Sequence, residues 1–352
     1  MGRSRRQAFT LVELLISMTI LSILFLIVIN VLSEVQRGWS QAGGKVSQFR
    51  EARRAFDIIK FNLQQATLNT YERLRFPNPV DPLVPSFDSS TGAELDINLN
   101  PIGYIRYSEL QFLTGRTADV LSGVPGINAS THPGHSLFFQ APLGYSSQYQ
   151  HLPTAINGRG YYVEFGDDTN FCPPFVASTQ PAKHRYRLME YAPPTENNVI
   201  YHADAPTPSS WLLNTATWSR PIADNVPLLI VSPKRLTLAE PESNPRDIAP
   251  DYAYDSRGTP ITADENFTQL PSDHQLPPAV ELLMVVIDES SAHNLELASG
   301  STPPFAFDGF TVANDEQFQA DIKNLEAYLV SRKINFRIFS TTVPLRNSRW
   351  DG

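Results

Sequence analysis

The chain has 352 residues, 41% of them hydrophobic and 18% charged, with a formal net charge of −8. That length holds one large or two modest domains, the apolar content excludes a disordered chain, and the acidic balance disfavours nucleic acid as a partner. The single cysteine, Cys172, excludes an intrachain disulfide, and a cysteine-based zinc centre would lack its ligands.

The 29 prolines all fall between Pro77 and Pro344. Proline lacks the N–H of a helix interior and its ring clashes there, so the first 76 residues are free to be mostly helix and the rest reads as loop-rich. Residues 1–8 carry Arg3, Arg5 and Arg6 and no acid. Residues 9–32 are apolar apart from one charge, Glu13, and span roughly 36 Å as a helix, enough for a bilayer core. The arginines would stay cytoplasmic and send the C-terminal bulk outward. A secretory signal would have a shorter apolar run and a small-residue cleavage site. A twin-arginine signal would place its Phe one position earlier and be less apolar. A plain signal anchor leaves Glu13 unexplained, because an ionisable group inside a membrane segment costs about 2.5–3.5 kcal/mol.

One further pattern accounts for the whole segment. Ala8-Phe9-Thr10-Leu11-Val12-Glu13-Leu14-Leu15-Ile16, behind a basic leader, closely resembles the N-terminal motif of type IV pilins and pseudopilins. The resemblance implies that a prepilin peptidase cuts between Ala8 and Phe9 and methylates the new amine of Phe9. Ala8 stands where the family usually has Gly, which implies slower processing. Removing three arginines takes the formal charge to about −11. Glu13 would then lie four residues beyond a new amine, and pairing with the amine of a neighbouring subunit would offset the cost of burying both charges. That would make Glu13 the residue that sets assembly register. Its plain alternative is an interfacial acid near a helix end.

The helix is predicted to continue through residues 33–70 as an amphipathic extension. Val35, Trp39, Val46, Phe49, Phe56, Ile59, Leu63 and Ala66 form one apolar stripe, with Arg50, Glu51, Arg53, Arg54, Asp57 and Lys60 opposite. Gly43-Gly44 would bend or locally melt it. Residues 71–352 form the head. Strands are predicted at 136–140, 160–165, 186–191, 228–231, 234–239, 280–287 and 335–343, and a helix at 315–332 capped by Asn314 or Asp315. Segments 76–101 and 241–278 read as surface loops. The expected fold is α+β and pilin-like, a membrane-spanning helix on a β-rich head.

Within the head, Ile222-Ala223-Asp224-Asn225-Val226 ahead of a strand, and Leu276-Pro277-Pro278-Ala279-Val280-Glu281-Leu282-Leu283, resemble the J-type minor pseudopilins of type II secretion systems. The helix stretch at 49–57 is similar to that group too. The layout and the ending at 334–343 also resemble type C proteins of the Verru_Chthon cassette. These resemblances imply a non-enzymatic subunit of a pseudopilus, anchored by a single pass in the inner membrane with the head periplasmic, or incorporated in a filament. They imply as partners a prepilin peptidase, other pilins or pseudopilins, an inner-membrane assembly platform and the lipid bilayer. The alternative is a minor type IV pilin or binding module whose head grips a polymer, DNA or an exported protein through Tyr145, Tyr149, Trp211, Trp218, Tyr252 and Tyr254.

No catalytic residue and no metal ligand set is assigned. His132-Pro133-Gly134-His135 has ligands at turn spacing only. Gly38–Ala42 lies in the helix, so it fails as a nucleophile elbow. Gly158-Arg159-Gly160 reads as a turn, and Cys172 as a buried small residue. No cofactor is expected. Calcium, which some pseudopilins bind in head loops, has candidate donors at Asp167, Asp168 and Asn170, and at Asp247, Asp251, Asp255, Asp264 and Glu265, without an EF-hand pattern.

Overall fold

In the computed structural model of the protein, the described residues are 10–78, 81–84, 100–149, 152, 154–177, 179–199, 210–235, 248–249, 251–258, 260–264, 266–305 and 315–350. Two compact units divide the chain at Gln48/Phe49. The fold class is α+β, a long apolar N-terminal helix and a β-rich head, consistent with a pilin-like fold.

The first unit contains the apolar start of helix α1, Leu11–Leu63. Leu11–Gln36 is long and apolar enough to cross a membrane, and every side chain from Thr10 to Gln36 is exposed. Its hydroxyls are satisfied locally, as a hydrocarbon surround demands: Ser17 Oγ donates to the Leu14 carbonyl at 2.9 Å, and Ser22 Oγ to that of Met18 at 2.8 Å. The chain is helical through Gly43 and Gly44, so no locally melted turn lies there.

The head unit begins at Phe49, on α1. Ala52, Ala55, Phe56, Ile59, Leu63 and Ala66 are buried, as the stripe predicts, with two alanines added to it. Arg50, Glu51, Arg53, Arg54 and Asp57 are exposed. Three antiparallel sheets make up the described β-structure of the head. A ribbon pairs β1 (Tyr71–Arg75) with β2 (Gly103–Tyr107). A six-stranded sheet runs β7-β6-β5-β4-β3-β9, built from β3 (Leu113–Arg116), β4 (His135–Ala141), β5 (Asn157–Gly166), β6 (Arg185–Tyr191), β7 (Ser219–Asp224) and β9 (Tyr254–Asp255). A three-stranded sheet runs β11-β10-β8, built from β8 (Leu228–Lys234), β10 (Ala279–Ile287) and β11 (Phe336–Pro344). Short helices α2 (Thr117–Val120), α3 (Pro174–Ala177) and α4 (Thr215–Trp218) lie in the connections, and α5 (Glu289–Ser299) and α6 (Asp315–Ser331) join β10 to β11.

Strand alternation gives the six-stranded sheet two buried faces. Leu137, Phe139, Tyr161, Val163 and Leu188 join the inner core with α1, β8, β10 and α6. Phe138, Tyr162, Met189 and Tyr191 point the other way, into an outer cluster with Leu121, Trp211 and Leu212. Gly158-Arg159-Gly160 is strand β5 rather than a turn. Glycine is needed there because a Cβ on Gly160 would collide with the Phe138 ring, and one on Gly158 would sit 2.9 Å from Trp211. Of the predicted strand 234–239, Lys234 ends β8, Arg235 lies beyond it, and 236–239 lie outside the described residues. Residues 241–278 are not merely a surface loop, since Ala249, Tyr252, Tyr254 and His274 are buried in the head.

Buried charge ties the elements together. Arg185 on β6, 5% exposed, pairs with Glu289 at 3.1 Å and with Glu296, both on α5. Asp288 caps α5, accepting from Ser291 N–H at 2.8 Å, and holds Asn335 at 3.1 Å just ahead of β11. On α1, Asn62 donates to the Tyr161 hydroxyl at 2.7 Å, which donates to Glu190 at 2.9 Å.

Candidate assembly site

Thr10 and Glu13 form a reciprocal pair at the start of α1. Thr10 N–H and Thr10 Oγ1 both donate to Glu13 Oε2 at 3.0 Å, and Glu13 N–H donates back to Thr10 Oγ1 at 3.3 Å. This is a capping box: a threonine N-cap and a glutamate three residues on satisfy two orphan donors of the first turn. The Leu14 N–H closes the first helical bond on the Thr10 carbonyl at 3.2 Å. The carboxylate is thereby turned back toward the N-terminal end of the helix. Both bonds fall on Oε2, and among the described residues Oε1 accepts none. The Thr-x-x-Glu spacing is itself a sequence signature of a helix start. Ala8 and Phe9 lie outside the described residues.

The head candidates do not converge. His132 and His135 sit on one turn but face different cores. His132 lies 5.9 Å from the Tyr162 ring of the outer cluster, and His135 lies 4.6 Å from Tyr252 of the inner one. Val231 N–H donates to His135 Nδ1 at 3.2 Å, so this imidazole fastens β4 to β8. Burial pushes both imidazoles down from 6.5 to about 4. Between those values the unfolded chain binds more protons than the folded one, so the head loses stability as pH falls from 6.5 toward 4. Thermal midpoints at pH 7.5 and 4.5 should drop on acidification, and less steeply in His132→Gln; equal slopes would remove His132 from the account.

Among the described residues no three His, Cys, Asp or Glu side chains gather as a metal site. Asp167 accepts from Thr169 N–H at 3.0 Å and Asp168 from Lys183 N–H at 2.9 Å, which makes them loop braces. Asp255 holds Gln111 at 2.9 Å, and Asp264 holds the Asn266 N–H at the same distance. Asp247 and Glu265 lie outside the described residues. Cys172 is half-buried rather than buried. The proposed aromatic surface also divides. Trp211, Tyr252 and Tyr254 are buried, Trp218 is half-buried, and only Tyr145 and Tyr149 are exposed. The buried rings fill the two cores, where each removes a large apolar area from water.

Residues 3–29 match the family model described as the prokaryotic N-terminal methylation motif. No curated protein and no solved structure matches the chain. The match supports the type IV pilin and pseudopilin superfamily, and with Leu11–Gln36 it indicates a pilin-like precursor anchored through its N-terminal helix.

Proposed function

We propose that this chain is a minor pseudopilin of the J type, a structural subunit of a type II secretion-like pseudopilus. Prepilin peptidase cuts between Ala8 and Phe9 and methylates Phe9. The helix sits in the inner membrane with the leader cytoplasmic and the head periplasmic, and the assembly platform then draws it into the filament. What carries this reading is the methylation motif at residues 3–29 on an apolar helix whose side chains are exposed throughout its membrane-length stretch. A bare apolar face of that length needs lipid or neighbouring helices to cover it.

The chemistry at Glu13 fits this role. The free Oε1 offers a neighbour's amine an acceptor without breaking the cap. The carboxylate can therefore hold its own helix start and a second subunit together. A head of 304 residues from Phe49 onward is too bulky to repeat at every step of a closely packed filament, which favours a minor position. The test is intact-mass and N-terminal analysis of the full chain extracted from its own membranes. A chain beginning at Phe9 and one methyl heavier supports the reading. An unprocessed Met1 terminus, or a chain free of the membrane, overturns it.

A further inference from the structure

The strand edges of the head are unequal. The outer edge of β2 is closed by a side chain: Gln269 Oε1 accepts from Arg106 N–H at 2.7 Å, and Gln269 Nε2 donates to the Arg106 carbonyl at 2.8 Å. β7 carries Pro221 and a register shift against β6, and β9 has only two residues. β8 carries Pro233 and gives its Val231 N–H to His135. These are the usual ways of blunting an edge.

β11 has no such device along most of its nine residues. Its ladder with β10 runs unbroken from Phe336↔Ile287 to Pro344↔Ala279. Just beyond each end the bonds are fixed: Asp288 N–H donates to the Asn335 carbonyl, and Leu345 N–H to that of Pro278, both at 3.0 Å. The odd-numbered residues therefore face β10, and the even-numbered ones turn their backbone outward. The outward N–H groups of Phe336, Ile338, Ser340 and Thr342 have no partner among the described residues. Ser340 and Thr342 are exposed. Proline enters only at Pro344, the last outward position.

The charge around this edge is reversed from that of the molecule. Between Glu326 and Asp351 there is no acid, while Arg332, Lys333, Arg337, Arg346 and Arg349 are all exposed. None of the five makes an ion pair among the described residues. Cations at both ends of the strand also disfavour self-pairing, because an antiparallel β11–β11 contact would bring Arg332 and Lys333 of one copy against Arg346 and Arg349 of the other. The edge lies beside α1: Arg337 stacks 5.0 Å from the Phe49 ring, and Phe339 lies 6.0 Å from Phe56.

We infer that β11 is a docking edge that takes an acidic, extended strand from a different subunit of the same filament, completing the β11-β10-β8 sheet by strand addition. This rests on the assembly reading above, since a subunit packed along α1 is the one within reach. Main-chain bonds would supply the grip, and the flanking cations the choice of partner.

The test is photo-crosslinking of the full chain in its own membranes, from a reactive amino acid at Ser340 or Thr342, with Gln148 as an exposed control and Phe61 on the outer side of α1 as a reporter of assembly. The expected result is crosslinks from Ser340 and Thr342 into an acidic stretch of another subunit that bears the methylation motif. Ser340→Pro removes an outward N–H without touching the β10 ladder. It should cut the Thr342 crosslink at least about tenfold, the worth of about 1.4 kcal/mol, whereas Ser340→Ala should not. Lys333→Glu combined with Arg346→Glu should cut it as well. Crosslinks at Phe61 with none above the Gln148 level at Ser340 and Thr342 overturn the docking edge and leave the assembly reading standing. No crosslink at any of the three positions overturns both. Full crosslinking in Ser340→Pro overturns strand addition.

Discussion

Replacing Gly134 with alanine is expected to destabilise the head by about 2–5 kcal/mol, among the largest effects of adding one methyl group to this protein. Two costs coincide at this position. Gly134 sits at φ +77°, where an L-residue is strained by about 1–2 kcal/mol. A Cβ would also stand 2.6 Å from the Leu229 carbonyl and 2.8 Å from Leu228 Cδ1, both on β8. The first contact is with backbone near the start of a buried strand paired to β10, which has little room to give. The turn 132–135 is thus a joint where the six-stranded sheet closes on the three-stranded one. Gly126 is the matched control: it too has positive φ, +88°, but nothing lies within 4 Å of its Cβ position. Gly126→Ala should show the strain alone. Urea unfolding of the full chain in detergent, followed by near-ultraviolet circular dichroism, would compare the two. Equal midpoints for the two variants would mean that the close approach to β8 carries no energy.

The second large effect concerns assembly rather than folding. Glu13→Gln is expected to remove the chain from filaments while leaving the melting of the head unchanged, because Glu13 lies in the first compact unit. Capping alone cannot produce that result. Gln serves a capping box as well as Glu, so Glu13→Gln leaves the cap largely intact, whereas Thr10→Ala breaks it at a cost of about 1 kcal/mol of helix stability. Charge pairing predicts an asymmetry. Removing the carboxylate strands a neighbour's buried amine, at about 3–5 kcal/mol, whereas removing the Thr10 hydroxyl leaves the charge in place. Glu13→Gln should therefore lower the filament-bound fraction, measured against the membrane pool, far more than Thr10→Ala. If Glu13→Gln assembles as well as Thr10→Ala or better, Glu13 is a cap and nothing more.

The elements legible in the sequence are those in which one physical signal dominates. The apolar run of α1 and the buried run of β10, Ala-Val-Glu-Leu-Leu-Met-Val-Val-Ile, can be read without neighbours because few other structures tolerate them. β7 has no such signal: Ser-Arg-Pro-Ile-Ala-Asp contains a proline and two charges, and it is a strand because β6 supplies a partner. α5 has none either, since Glu-Ser-Ser-Ala-His-Asn-Leu-Glu-Leu-Ala-Ser has little apolar period. It is held by the Asp288 cap and by Arg185 across the fold. Tyr252 and His274 are drawn into the interior from a segment whose prolines and acids suggested the surface. The motif around Glu13 was legible because it is contiguous. The open edge of β11 was not, because an edge is a property of sheet order and no local pattern records it.

The two clusters of the six-stranded sheet share no member, and α1 contributes only to the inner one. Any traction applied along α1 therefore enters the head through Phe56, Ile59 and Leu63 and is resisted by the inner core. The outer aromatic layer around Trp211 lies off that load path. Its shape can vary with its surface segments without touching the contacts between α1 and the inner core.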